Sequence, residues 1–416
     1  MALSPMRRAP QPAPPMPPAP PATNDLLQGD ARDNVLVGGG GNDTLNGGAG
    51  TDTADYSGLG NGVTLLSQGV VGKGNAGTDL LIGIERIIGA TGKANLIDGT
   101  VANPAAQTTS FKIDLGASSL QVNGVPFLGT LNFVVDNFTQ VRGTNNADVV
   151  TGAATNDIFF GSAGNDTYNG AAGTDTVDYS TLGTAVTLRS QGVINKGALG
   201  QDTIQNIEKI IGATGQANLI DGTVANPATQ TTSFAIDIAL GKLVVNGVPG
   251  LGSFAFDIGN FSNVTGTNNA DTIRGDAKAN LLLGAGGNDT ITGAGGDDTI
   301  AGGAGADRIS LGSGRDTVVF NNAAEGGDLI IDFRGREDHI EFSAAGFGLN
   351  AGVLPGSEFA ANRAGVANRA EAQFVYDTDD GQLYFDADGT GAGQSVLLAT
   401  LQGAPGLSLS DLILIA

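Results

Sequence analysis

From Gly266 to Val319 the chain runs through six uninterrupted nonapeptides, GTNNADTIR, GDAKANLLL, GAGGNDTIT, GAGGDDTIA, GGAGADRIS and LGSGRDTVV. Two blocks of four precede them: residues 20–55, including GGGGNDTLN and GGAGTDTAD, and residues 143–178, including GSAGNDTYN and GAAGTDTVD. The sixth position is Asp in twelve of the fourteen repeats: Asp25, Asp43, Asp52, Asp148, Asp157, Asp166, Asp175, Asp271, Asp289, Asp298, Asp307 and Asp316. Asn34 and Asn280 fill the other two. The eighth position is apolar or aromatic throughout, from Leu27 to Tyr168 to Val318. A second period of 123 residues superposes Tyr56 on Tyr179, Asp98 on Asp221, Phe111 on Phe234 and Phe138 on Phe261 without a gap. The chain is therefore two and a half copies of one long unit followed by a different C-terminal segment, and periods of this kind point to a stacked, repetitive fold.

Glycines at positions one, two and four permit positive φ and bring bare carbonyls together in a tight turn. Positions seven to nine are long enough only for a small strand. Strand alternation turns residue eight inward and residues seven and nine outward. Two nonapeptides then complete one flattened coil, and each turn lies above the turn two repeats earlier, Asp289 over Asp307 and Asp298 over Asp316. Stacked carboxylates repel, and a divalent cation between them removes that cost. Calcium suits the geometry because it accepts about six to eight oxygens in flexible arrangements, whereas magnesium demands a tighter octahedron and zinc prefers nitrogen or sulfur. The expected ligands of several calcium ions are the twelve aspartates with carbonyls of the turn glycines Gly39, Gly41, Gly287, Gly296, Gly305 and Gly314. Asp289/Asp307 and Asp298/Asp316 alone combine two full turns. The other same-side pairs are Asp25/Asp43, Asp148/Asp166, Asp157/Asp175 and Asp271/Asp289, with Asn34/Asp52 and Asn280/Asp298 the poorest. The first two repeats of each block lack the fourth-position glycine, having Thr23, Arg32, Asn146, Thr155, Asn269 and Lys278 there, so their turns are expected to be distorted. One Asp-Gly turn alone reads as a solvent-exposed bend; fourteen in phase do not.

The pattern GGxGxDxUx resembles the calcium-binding nonapeptide of the RTX family, and the segment after Phe320 is similar to the C-terminal region of its secreted members. The resemblance implies a parallel β-roll that folds on calcium outside the cell. It also implies that a C-terminal segment such as SLSDLILIA, apolar and exposed by position, is an uncleaved signal for one-step export through an ABC-transporter channel.

Composition narrows the function further. Twenty Lys and Arg against 42 Asp and Glu give a net charge of −22, which repels phosphate backbones and anionic lipid, so no nucleic-acid partner is expected. With no cysteine there is no disulfide scaffold, thiol nucleophile or zinc-thiolate site. His339 is the one histidine; it leaves an HExxH zinc site nowhere to form and reads as a surface or capping residue in an alternating strand. No run approaches the roughly 20 apolar residues of a membrane helix.

The fold expected is all-β: a parallel β-roll or β-helix solenoid with β-rich inserts and a β-rich C-terminal cap. Residues 1–19, with seven prolines and no apolar h-region, read as a disordered Pro-rich arm rather than a secretory signal. The calcium blocks are 20–55, 143–178 and 266–319, the inserts 56–142 and 179–265, and the cap with its signal region 320–416. Within the inserts, Asn123-Gly124 and Asn246-Gly247 read as hairpin turns. GATGKANLIDG and GATGQANLIDG mimic the nonapeptide with Asn95 and Asn218 in place of Asp, which suggests either a calcium-free coil continuing the stack or a small β-sandwich budding from it. In the cap, Asp328, Asp332 and Asp338 read either as one or two further ligands or as strand-edge turns, the turns being the preferred reading. The stretch holding Asp377, Asp379, Asp386 and Asp388 reads as hairpins, since its glycines are misplaced for an EF-hand.

The expected function is non-enzymatic: an extracellular calcium-binding protein of a surface, matrix or adhesion layer. Its partners would be calcium, the export machinery and either cell-surface glycans or further copies of itself. The alternative is a polysaccharide-acting enzyme or glycan-binding accessory module, because nonapeptide blocks in this family are often appended to lyases, epimerases, lipases or metalloproteases. A pore-forming cytolysin would need long amphipathic helices that the sequence lacks.

Overall fold

The structure, a computed structural model, describes residues 23–66, 69–100, 109–189, 192–224, 230–250 and 252–416; the Pro-rich arm at 1–19 lies outside the described residues. The chain divides into two compact units, Met1–Leu182 with Lys196–Ile207, and Gly183–Asn195 with Glu208–Ala416.

In the first unit, three-residue strands alternate between two sheets. Leu26–Gln28 pairs in parallel with Thr44–Asn46, and that with Thr78–Ile82. Val35–Leu36, Thr53–Asp55 and Arg86–Ile88 do the same in the other sheet. The register sets Leu27 beside Leu45 and Leu36 beside Ala54, one coil of two nonapeptides per layer. Side chains at position eight face the space between the sheets, and all fourteen of them, from Leu27 to Val318, are buried. Small apolar knobs on every coil thus build a thin continuous core, the arrangement in which each repeat is stabilised by its neighbours.

The insert strands lie in these same two sheets. Thr78–Ile82, Val70–Gly72 and Thr64–Leu66 form an antiparallel meander in one, and Gly129–Asp136, Ser119–Val125 and Ser110–Asp114 form another in the second. Parallel pairing then resumes, from Thr64–Leu66 through Leu96–Asp98 and Gln140–Arg142 to Ile158–Phe160 and Thr176–Asp178. In the other sheet it resumes from Ser110–Asp114 through Val149–Thr151 and Thr167–Asn169 to Gln201–Gln205. Among the described residues of the first insert no sandwich buds from the roll, because its meanders carry the sheets onward. One local expectation is corrected. Asn123-Gly124 and Asn246-Gly247 are bulges inside strands, with φ of 71° at Gly124 and 70° at Gly247, and in the first insert the turn falls at residues 126–128. A glycine at positive φ is what such a bulge requires.

In the second unit the corresponding meander is Ser233–Asp237, Lys242–Val248 and Gly252–Gly259. It leads into a parallel row of Thr272–Arg274, Thr290–Gly295, Arg308–Ser313, Asp328–Ile330 and Val396–Leu401. The opposite row runs from Phe261–Thr265 through Leu281–Leu283, Thr299–Ala301, Thr317–Phe320 and His339–Ser343 to Leu412–Ile415. Beyond the nonapeptides the apolar end needs closing. Gln373–Asp377, Gln382–Asp386 and Val396–Leu401 form an antiparallel hairpin pair there, over rings that touch at 4.1 Å between Phe342 and Phe374 and 4.9 Å between Phe347 and Phe385. The terminal segment, exposed by position but also readable as an ordinary final strand, is that strand: Leu412 and Leu414 are buried against the roll while Ile413 faces out. Among the described residues no helix is long and apolar enough to cross a membrane.

Candidate metal centre

The eighteen-residue register turns the position-six residues into ladders. Each Asp Oδ1 accepts the backbone N–H of the residue one coil earlier: Asp271 donates to Asp289 at 2.8 Å, Asp289 to Asp307 at 2.7 Å, and Asp307 to Asp328 at 2.9 Å. The other row runs from Asn280 to Asp298 at 2.8 Å, Asp298 to Asp316 at 2.9 Å, and Asp316 to Asp338 at 3.1 Å. In the first unit the same bond joins Asp25 to Asp43, Asn34 to Asp52, Asp148 to Asp166 and Asp157 to Asp175. One carboxylate oxygen thus holds successive coils in register, leaving the other for a second task.

That second oxygen divides the row. Oδ2 is buried without a hydrogen-bond partner on Asp52, Asp289, Asp298, Asp307, Asp316 and Asp328. A buried carboxylate oxygen left so is costly unless a cation completes it. The strain appears in the acidities. Burial above all, opposed by the ladder bond and then reinforced by neighbouring carboxylates, pushes Asp289 and Asp328 up to about 8 and Asp298 up to about 6. Asp307 and Asp316 are raised for the same leading reason. The turns also bring oxygens close together. A Cβ on Gly284 would stand 2.2 Å from Asp289 Oδ2 and 2.3 Å from the Gly302 carbonyl oxygen, and one on Gly293 would stand 2.3 Å from Asp298 Oδ2 and 2.4 Å from the Leu311 carbonyl oxygen. Carboxylate and carbonyl oxygens therefore converge beside each first-position glycine, an all-oxygen donor set that fits calcium. Among the described residues no three or more His, Cys, Asp or Glu side chains gather into one metal cluster.

Other turns satisfy the second oxygen from within the protein. Asp148 and Asp271 Oδ2 accept from the N–H of Thr144 and Thr267 at 2.6 Å, and Asp157 Oδ2 from Ala153 N–H at 2.6 Å. Asn34 and Asn280 Oδ1 accept from Asp30 and Asp276, and Asp25 Oδ2 from the Thr23 hydroxyl. These are the repeats without a fourth-position glycine. Their turns close by an aspartate or asparagine cap, and the glycine is needed only in the following coil, where Gly287 packs on Asn269 and Gly296 on Lys278. Asn95 replaces the whole arrangement: fully buried, it accepts from Val63 and Ala90 N–H and donates to the carbonyls of Ala90, Lys93 and Asn137. Asn218 repeats this with Val186, Ala213, Gln216 and Asn260.

Asp43 and Asp166 follow a third course, since their Oδ2 atoms meet the buried ammonium groups of Lys73 and Lys196. Sequence reasoning missed these lysines with their partners Asp79 and Asp202, although the 123-residue period maps Lys73 on Lys196 and Asp79 on Asp202. It also preferred edge turns to further ligands for Asp328 and Asp338. They continue the two ladders at offsets of 21 and 22 residues, and this departure from eighteen hid them. Asp332 stays outside the rows, accepting from Leu311 and Gly312 N–H and the Ser310 hydroxyl.

Residues 22–54, 142–177, 265–300 and 283–318 match the RTX calcium-binding nonapeptide repeat. Among solved structures, the AlgE6R3 subunit of the Azotobacter vinelandii mannuronan C5-epimerase is 25% identical over 35% of this chain and 79% of its own, with a TM-score of 0.26. The extracellular lipase LipA of Serratia marcescens is 16% identical over 68% of this chain and 44% of its own, with a TM-score of 0.23. No curated protein matches the sequence. The chain carries the RTX calcium-binding nonapeptide repeat in four copies, and it is an all-β protein whose long parallel sheets are those of a β-roll.

Proposed function

We propose that this chain is a secreted calcium-binding β-roll protein that completes its fold on meeting calcium outside the cell, and that it works as a non-enzymatic surface, matrix or adhesion component. One observation carries the reading: successive coils of the third block bury carboxylate oxygens that no protein donor satisfies. Asp289, Asp298, Asp307, Asp316 and Asp328, with the carbonyls of Gly302 and Leu311, are the residues that would hold calcium. The ion supplies the positive charge that stacked carboxylates need. In this reading 266–319 is the main calcium segment, 20–55 and 143–178 are nonapeptide blocks whose turns are closed largely by the protein's own donors, 56–142 and 179–265 are spacers, and 320–416 caps the roll and carries the export signal. In a chain with a net charge of −22, the third block stays extended where calcium is scarce and folds where calcium is plentiful.

Ion selectivity tests the reading. Titrating the chelated chain with calcium is expected to restore the β circular-dichroism signal, while magnesium at the same concentration leaves it low, because the site offers too irregular an oxygen set for an octahedral ion. Equal restoration by both ions would sink calcium as the physiological ligand. Export is tested separately. Residues 350–416 fused to a slow-folding passenger are expected to carry it into the medium in cells with a matching ABC transporter. A passenger retained in the cytoplasm would reduce the C-terminal region to a cap.

A further inference from the structure

We propose that Lys73 and Lys196 are resident cations: each ammonium group fills, in its own turn, the place that calcium fills in the third block, so these coils close without metal. The inference rests on the calcium reading of the other turns. Lys73 Nζ lies 2.9 Å from Asp43 Oδ2, 2.5 Å from Asp79 Oδ1 and 2.9 Å from the Gly39 carbonyl oxygen. Lys196 Nζ lies 3.2 Å from Asp166 Oδ2 and 2.7 Å from the Ser162 carbonyl oxygen, and it also meets Asp202 Oδ1. An ammonium has three N–H donors, and each lysine finds three acceptors. The acceptors are of the kinds assigned to calcium above: two carboxylates from successive coils, joined by the Asp43-to-Asp79 and Asp166-to-Asp202 ladder bonds at 3.0 Å, and one carbonyl from a nonapeptide turn.

Three further facts separate this from an ordinary ion pair. All six side chains are fully buried, where a cation persists only if its partners are in place. The arrangement recurs 123 residues apart with its geometry preserved, down to the single 3-10 turn, Gly74–Ala76 or Gly197–Leu199, that follows each lysine. It also stands where the nonapeptide rhythm ends: Asp79 lies 36 residues after Asp43, and Asp202 36 after Asp166, in place of eighteen. A side chain is always present at its site, whereas calcium must be supplied. The passage from nonapeptides into each insert is thereby made independent of the medium.

Native-state hydrogen exchange on the whole chain, with and without chelator, is the test. Without calcium, amides around 43–46, 78–82, 166–169 and 201–205 are expected to exchange roughly tenfold or more slowly than those of 289–316. In a Lys73→Met, Lys196→Met variant these four stretches are expected to lose protection in chelator and regain it in calcium, with one more ion bound at each site by calorimetric titration. Wild-type stretches that open in chelator together with 289–316 would overturn the inference. So would a variant that calcium fails to restore or that takes up no further ion. If no part of the wild-type chain responds to calcium, the calcium reading itself fails, and that outcome is distinct from the others.

Discussion

Chelating calcium at about pH 8 is expected to melt the third block, with a loss of most of its parallel-sheet signal and a fall of tens of degrees in melting temperature. Each ion at a hundred times its dissociation constant contributes about 2.7 kcal/mol, so ions at the Asp289 and Asp298 turns alone contribute about 5 kcal/mol. That is comparable to the whole stability of a domain, about 5 to 15 kcal/mol. Acid is expected to rescue the metal-free chain in part, and the sign follows from linkage. Asp289 and Asp328 are pushed up to about 8 and Asp298 to about 6, from 3.8, chiefly by burial. The folded state therefore holds protons that the unfolded state releases. Its stability is greatest below about pH 4 and falls as pH rises through the window between 3.8 and about 8. With calcium present the trend reverses, because the ion displaces those protons and its contribution grows with pH. Scanning calorimetry at several pH values, with calcium and with chelator, checks both statements. A chelated sample that melts unchanged, or that gains stability as pH rises, would contradict the assignment.

Asp289→Ala and Asp271→Ala are expected to fail in different ways, although the residues occupy the same position one coil apart. Asp289 Oδ2 has no protein donor, so its loss removes a calcium ligand and leaves Asp307 beside an under-coordinated ion. The cost is on the order of a few kcal/mol, a hundredfold or more in calcium affinity at that site. Asp271 Oδ2 already accepts from Thr267 N–H and from the Thr267 hydroxyl. Replacing it removes a turn cap, costing about 0.5 to 2 kcal/mol of stability, while the number of ions bound stays the same. By the same reasoning Asp298→Ala harms calcium binding more than Asn280→Ala, since Asn280 Oδ1 is bonded within its own turn. Calorimetric titration beside thermal melting separates the two effects. Equal loss of bound calcium in Asp289→Ala and Asp271→Ala would show that the buried, donor-free oxygen is not what marks a site.

The nine-residue period by itself determined the local conformation and the nearest neighbours. Glycine at positive φ forces the turn, three residues of strand fit between turns, and alternation buries position eight; once two repeats make a coil, the eighteen-residue register and the ladder from Asp298 to Asp316 follow. Position six therefore named the row of candidate ligands. It did not name the donors that reach each ligand, because those come from segments outside the repeat. Lys73 meets Asp43 from 30 residues away, and Asp328 joins the ladder at an offset of 21. Thr267 caps Asp271 in a turn without a fourth-position glycine. The meanders passing through both sheets, and the bulges at Gly124 and Gly247, were likewise settled by strand pairing over long separations. A periodic sequence fixes what each residue sees along its own coil. Whether a buried carboxylate meets a lysine, a backbone N–H or no donor at all depends on where the non-repeating chain passes, and that only the tertiary structure decided.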